Sequence, residues 1–218
     1  MSENMYDPNE SNIYTETLNP WISIWTKPRA TIRQILDSKS QAYINILAMA
    51  GGIATALDKA SEKNYGDTNG VFSILIMAIF GGAIGGLITL YIGSALIYWT
   101  GKWIGGQGEY DEIKVAAAWA NVPLIWGLLL WIPTIALYGS AYFSSDLADL
   151  GYSMGLSIFA IILSIIAVIL GVWSFIIQLK CLGEAQRFSA WKALGNIILS
   201  VLVIIVPILL LVVLLSAF

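Results

Sequence analysis

The sequence predicts an all-α fold: a polytopic membrane protein, built as a five-transmembrane-helix bundle with a short N-terminal interfacial amphipathic helix. Three observations predict it. The 218 residues are 58% hydrophobic and only 11% charged, with a mean hydropathy of +0.77, whereas soluble domains carry about a quarter charged residues. Charge is absent from the runs Ser40–Leu57, Asn69–Gly101, Val115–Ser145, Leu150–Leu179 and Ala193–Phe218. Each is about as long as the roughly 17–25 residues that a helix needs to cross hydrocarbon. The basic residues, finally, fall into alternate connections.

Residues 1–18 are polar and acidic (Glu3, Asp7, Glu10, Glu16) and read as a disordered cytoplasmic tail. They lack the basic start and apolar core of a secretory signal, so cleavage is not expected and the first span serves as the insertion signal. Residues 19–39 form the interfacial segment. Asn19 caps a helix that starts at Pro20, and a second start follows at Thr26 to Pro28. Trp21 and Trp25 stand four apart, Ile32, Ile35 and Leu36 make an apolar stripe, and Arg29 and Arg33 share another face. The segment is too short to span. One reading lays it in the membrane interface, indoles down and guanidinium groups among lipid phosphates. The other packs it on the cytoplasmic ends of the spans, and Trp suits both.

The membrane domain, residues 40–218, places spans near 41–57, 71–99, 115–139, 153–181 and 192–216. Lys27, Arg29, Arg33, Lys39, Lys102, Lys114, Lys180, Arg187 and Lys192 fall on one side, and Lys59 and Lys63 on the other. Nine against two predicts a cytoplasmic N-terminus and an extracytoplasmic C-terminus in the cell membrane. The connections across the membrane are 58–70 and 140–152, the second carrying Asp146 and Asp149.

In the second span Gly81, Gly85, Thr89 and Gly93 recur every four residues, with Gly82 and Gly86 widening the strip. Small residues at that spacing let helix backbones approach closely, either to a neighbour in the bundle or to a second copy in a homo-oligomer. The third span carries Asn121, Pro123 and Pro133. Each proline removes a backbone donor and crowds the carbonyl four residues back, so kinks are expected, with Asn121 bonding a freed carbonyl. The alternative is a broken helix lining a substrate groove, with Asn45, Gln178 and Asn196 as polar company. Pro207 kinks the last span in the same way.

What is missing narrows the function. The chain has no histidine, which removes zinc proteases, histidine-dependent phosphatases and Ser-His proteases. Its one cysteine, Cys181, reads as a small apolar residue at a helix end. No ionisable residue lies deep in a span, as proton-coupled pumps require. A net charge of −3 offers nucleic acid no basic surface. The turn Gly101–Gly108 lacks the Lys-Ser/Thr pair of a phosphate loop and reads as a tight cytoplasmic turn, with Asp111 and Glu112 opening the next helix. Catalytic residues, metal ligands and cofactors are therefore not expected.

The stretch Trp99-Thr100-Gly101-Lys102-Trp103-Ile104-Gly105-Gly106-Gln107-Gly108-Glu109-Tyr110, running into Ala116-Ala117-Ala118-Trp119-Ala120-Asn121-Val122-Pro123-Leu124, resembles the central hairpin of the YIP (Ypt/Rab-interacting protein) membrane-domain family. Gly171-Val172-Trp173-Ser174, followed by Leu182–Ser189 and Ala193-Leu194, is similar to that family's fourth span, polar turn and final span. The resemblance covers roughly residues 20–215. It implies a five-helix bundle with a cytoplasmic N-terminal segment and carries no catalytic residues over. Eukaryotic relatives bind prenylated small GTPases and carry an Asp-Leu-Tyr-Gly-Pro-like motif, where this chain has Asn19-Pro20-Trp21-Ile22-Ser23-Ile24-Trp25. That start resembles bacterial members, some of which accompany ABC-type export systems and toxic-peptide defence.

The expectation is a non-enzymatic scaffold or assembly factor. It packs through Gly81, Gly85, Thr89 and Gly93, and Trp21, Trp25, Arg29 and Arg33 meet lipid or a partner. Membrane lipids, ABC-type transporter subunits and a second copy are the candidate partners. The alternative is a lipid- or small-solute-moving protein working through a groove at Asn121 and Pro123.

Overall fold

The computed structural model describes residues 17–38, 43–145 and 154–216. Most of the expected tail, Lys39 and the connection bearing Asp146 and Asp149 lie outside them. Every regular element among the described residues is helical.

Helix α1, Pro20–Ser23, starts where proline fixes the first turn, and the Asn19 side chain accepts the Trp21 amide at 3.1 Å. Helix α2, Pro28–Asp37, again begins on proline. It is joined to α1 by a hydrogen bond between Thr31 Oγ1 and Ser23 Oγ, 2.8 Å. Leu18, at the edge of the expected disordered tail, exchanges two backbone bonds with the Gln34 amide, at 2.8 and 2.9 Å.

Helix α3, Ile44–Glu62, covers the expected first span and sits at the centre, touching every later helix up to residue 138. Helix α4, Val71–Trp103, is continuous but contains two π turns, Met77–Gly81 and Thr89–Gly93. The third span is broken. Helix α5, Tyr110–Trp119, stops, and α6, Val122–Tyr138, starts again after Ala120 and Asn121. Pro123 falls in the first turn of α6, so the missing donor costs nothing there, while Pro133 stands inside α6. Helix α7, Met154–Ala185, and helix α8, Ala190–Ser216, complete the bundle.

Four helical stretches are long and apolar enough to cross a membrane: Val71–Trp103, Tyr110–Phe143, Met154–Ala185 and Ala190–Ser216. Helix α3 is not among them, because Asp58, Lys59 and Glu62 occupy its last turns.

Candidate functional site

A groove of about 480 Å³ runs between α3 and α4 and reaches the break before α6. It arises from two adjacent rows of small residues on α4. Gly82 and Gly86 form one row and press against α3: a Cβ on Gly86 would overlap the Ala48 carbonyl, and one on Gly52 the Gly82 carbonyl. Backbone thus meets backbone, as glycine alone permits. Gly81, Gly85, Thr89 and Gly93 form the other row and line the groove. A Cβ on Gly81 or Gly85 would meet nothing within 4 Å among the described residues. The close helix packing assigned to Gly81, Gly85, Thr89 and Gly93 therefore belongs, inside this bundle, to Gly82 and Gly86. The physical reason is the partner strip Ala48, Gly52 and Ala56 on α3, small residues four apart that face Gly82 and Gly86.

Asn121 forms part of the opposite wall. Its side chain lies so close over Gly51 that a Cβ there would come within 2.6 Å of the Asn121 carboxamide carbon. Its Nδ2 donates to the Ala117 carbonyl at 3.4 Å, while Ser174 Oγ of α7 donates to the Ala120 carbonyl at 2.8 Å. Two carbonyls at the break are thereby satisfied, as a low-dielectric surrounding demands. Pro123 opens α6 directly after the break, Pro133 stands inside the continuous α6, and neither lines the groove.

Ser94 also lines the groove and is only 1% exposed, yet its Oγ has no hydrogen-bond partner among the described residues. Other membrane-depth hydroxyls bond the carbonyl four residues back. Thr55 does so to Gly51 (2.9 Å), Thr134 to Leu130 (2.7 Å) and Ser164 to Ala160 (3.0 Å). Ser94, placed directly after the π turn Thr89–Gly93, does not. Such turns recur at functional positions.

The second built feature is the end of the bundle that carries α1 and α2. Ile24 and Ile32 are fully buried there, and Trp21 meets Trp119 edge-on at 5.7 Å. Trp173 Nε1 donates to the Trp25 carbonyl at 3.1 Å. Arg29 and Arg33 both reach Glu184, at 3.4 and 2.5 Å. Glu184 on α7, its side chain only 13% exposed, is the counter-charge both guanidinium groups share, and the Arg33 side chain remains 67% exposed beyond it. Of the two readings of residues 19–39, packing on the ends of the spans is the one the contacts support.

The glycine-rich turn closes the same end. A Cβ on Gly101 or Gly106 would overlap the Gln186 side chain, and one on Gly108 the Ala185 carbonyl. Gln107 N donates to the Gln186 carbonyl (3.1 Å), and Gln186 Nε2 to the Ile97 carbonyl (3.2 Å). Arg187 then pairs with Glu112 at 3.1 Å, and Glu112 completes a capping box with Glu109.

A family model, the Yip1 domain, matches residues 22–213, nearly the whole of this architecture. The chain belongs to the Yip1 domain family. No curated protein and no solved structure matches it.

In this Yip1 domain the matched region takes in the groove, the helix break and the clamped end together. Among the described residues no group of three or more His, Cys, Asp or Glu could hold a metal ion. Cys181 is fully buried, as its reading as a packing residue requires. Gln186, Ser94 and the Gly52 partner strip were not singled out by sequence. The available signal was the run of small residues Ala48, Gly52 and Ala56, four apart in the neighbouring span, which offers α4 a face that only glycine can approach. A polar contact holds α8 as well: Thr100 Oγ1 donates to Asn196 Oδ1 (2.6 Å), and Asn196 Nδ2 to the Ile97 carbonyl (3.0 Å).

Proposed function

We propose that this Yip1-domain protein is a non-enzymatic integral membrane scaffold or assembly factor. It crosses the cell membrane five times, with residues 44–57 of α3 as the first crossing. Its N-terminus is cytoplasmic and its C-terminus extracytoplasmic, the orientation favoured by nine basic residues against two. One observation carries the scaffold reading. Three segments far apart in sequence, 18–37, 101–112 and 182–188, are clamped into one rigid end by Glu184, Gln186 and Arg187. The polar side chains there hold shape rather than face a substrate cavity. Subunits of an ABC-type exporter are the leading partner, on the resemblance of the Asn19-Pro20-Trp21 start to bacterial relatives. Affinity purification of the tagged full chain in mild detergent tests this. A transporter subunit should co-purify at fixed stoichiometry and be lost in Glu184→Ala, while the bundle stays folded. Failure to recover any membrane partner, or recovery unaffected by Glu184→Ala, counts against it.

A second reading has its own observation. The groove brings Asn121 and the strip Gly81, Gly85, Thr89 and Gly93 into one cavity, which suits movement of a lipid or small solute. Purified protein in liposomes should then show flux that Asn121→Leu abolishes, and absence of flux removes the reading.

A further inference from the structure

We propose that the glycine-floored groove is a binding slot for a hydroxylated lipid headgroup, of the glycerol-phosphate type, entering from the bilayer. The argument starts from Ser94. A buried hydroxyl without a partner is costly in an apolar medium, and this one belongs to a residue of the groove wall. A ligand with hydrogen-bonding groups seated against that wall would satisfy it. The remaining polar lining is of one chemical kind. Asn121 and Gln178 are carboxamides, which both donate and accept, and Thr55 and Thr89 add hydroxyls, that of Thr55 donating to the Gly51 carbonyl. That set matches a group rich in hydroxyls, itself donor and acceptor.

Charge narrows the class further. The groove contains no carboxylate, and Lys59, near the end of α3, is its single charged residue. A phosphodiester suits that rim, whereas a cationic headgroup has no counter-charge. The floor is shaped for an entering group because Gly81 and Gly85 leave the space that side chains would fill. The slot does not require the scaffold reading. It deepens the second reading by naming the ligand, and it is separable from it: binding without flux leaves the slot standing and the transport reading lost.

The test uses the purified full chain, exchanged into mixed micelles containing phosphatidylglycerol or phosphatidylcholine and examined by native mass spectrometry. One phosphatidylglycerol should be retained per chain, about tenfold over phosphatidylcholine, a margin that one or two hydrogen bonds supply. Gly85→Leu, whose Cβ starts in open space, should fill the slot and abolish retention. Ser94→Ala should weaken it roughly fivefold, the loss of one hydrogen bond. If Gly85→Leu does not yield monodisperse protein, Thr89→Leu on the exposed rim provides the block. Equal retention of the two lipids, retention unchanged by both blocking variants, or displacement by free glycerol alone would overturn the proposal.

Discussion

Adjacent glycines on α4 should respond to alanine with opposite signs. At Gly86 the added methyl overlaps the Ala48 carbonyl and comes within 2.9 Å of the Ala48 carbonyl carbon and 3.1 Å of Gly52 Cα. All three atoms are backbone, so no rotamer change relieves them and α3 must move away from α4. Overpacking of this kind costs roughly 1–3 kcal/mol, offset by about 1 kcal/mol of helix propensity. At Gly85 nothing stands within 4 Å of the new methyl, so only the propensity gain of about 1 kcal/mol remains. The two variants should differ by roughly 1–3 kcal/mol, which for a chain of this size is on the order of 2–12 °C in Tm. Thermal unfolding in one detergent, followed by the intrinsic tryptophan signal, measures it. Gly85→Ala melting as low as Gly86→Ala, or Gly86→Ala melting at or above the unmodified protein, would refute the assignment of the packing row.

Three other outcomes are expected. Glu184→Ala removes the carboxylate shared by Arg29 and Arg33, so trypsin should cut after those arginines faster than in the unmodified protein, with the later helices intact. Asp67 accepts from Ser144 Oγ and from Ser145 N and Oγ, which holds its carboxyl below the ordinary carboxylate value. Because the folded value is the depressed one, the stabilisation is present above the unfolded-state pKa, about 3.9, and is lost as pH falls through the folded one. The Tm advantage over Asp67→Asn should therefore hold at pH 6 and shrink below about pH 4. For orientation, Cys181 is fully buried and should resist maleimide on either side. In a Cys181→Ala background, Trp191→Cys, at a position 82% exposed, should react with impermeant maleimide only after permeabilisation. Reaction in intact cells would reverse the proposed orientation.

The helices were legible because their signals are local. Asn19-Pro20 and Pro28 start α1 and α2, as their capping chemistry dictates. Charge-free runs mark four spanning stretches, and Asn121 with Pro123 marks the break. Partner choice was not legible, because it depends on residues brought together from distant segments. Arg29 and Arg33 have the spacing of a lipid-facing face, and nothing local announces the Glu184 carboxylate they share, 151 residues beyond Arg33. Central α3 shows the same limit. Its charged last turns weaken its apolar signal, yet α4, α5 and α6 all pack against it.

The two π turns tie packing and groove into one cause. Helical residues four apart drift around the axis, so an unbroken α-helix would carry a strip like Gly81, Gly85, Thr89 and Gly93 gradually off any straight neighbour. The wider turn at Thr89–Gly93 sets the rotation back. Gly93 and Ser94 consequently line the same cavity as Gly81 and Gly85. With Gly82 and Gly86 closed on α3, the second row is held open along the same helix, because two rows one residue apart cannot both be seated on one neighbour. A helix that packed through its full small-residue strip would have no groove. The cost of leaving Ser94 unpaired is the counterpart of that geometry, and it is why removing the hydroxyl and filling the space at Gly85 are the two changes that separate a slot from a packing defect.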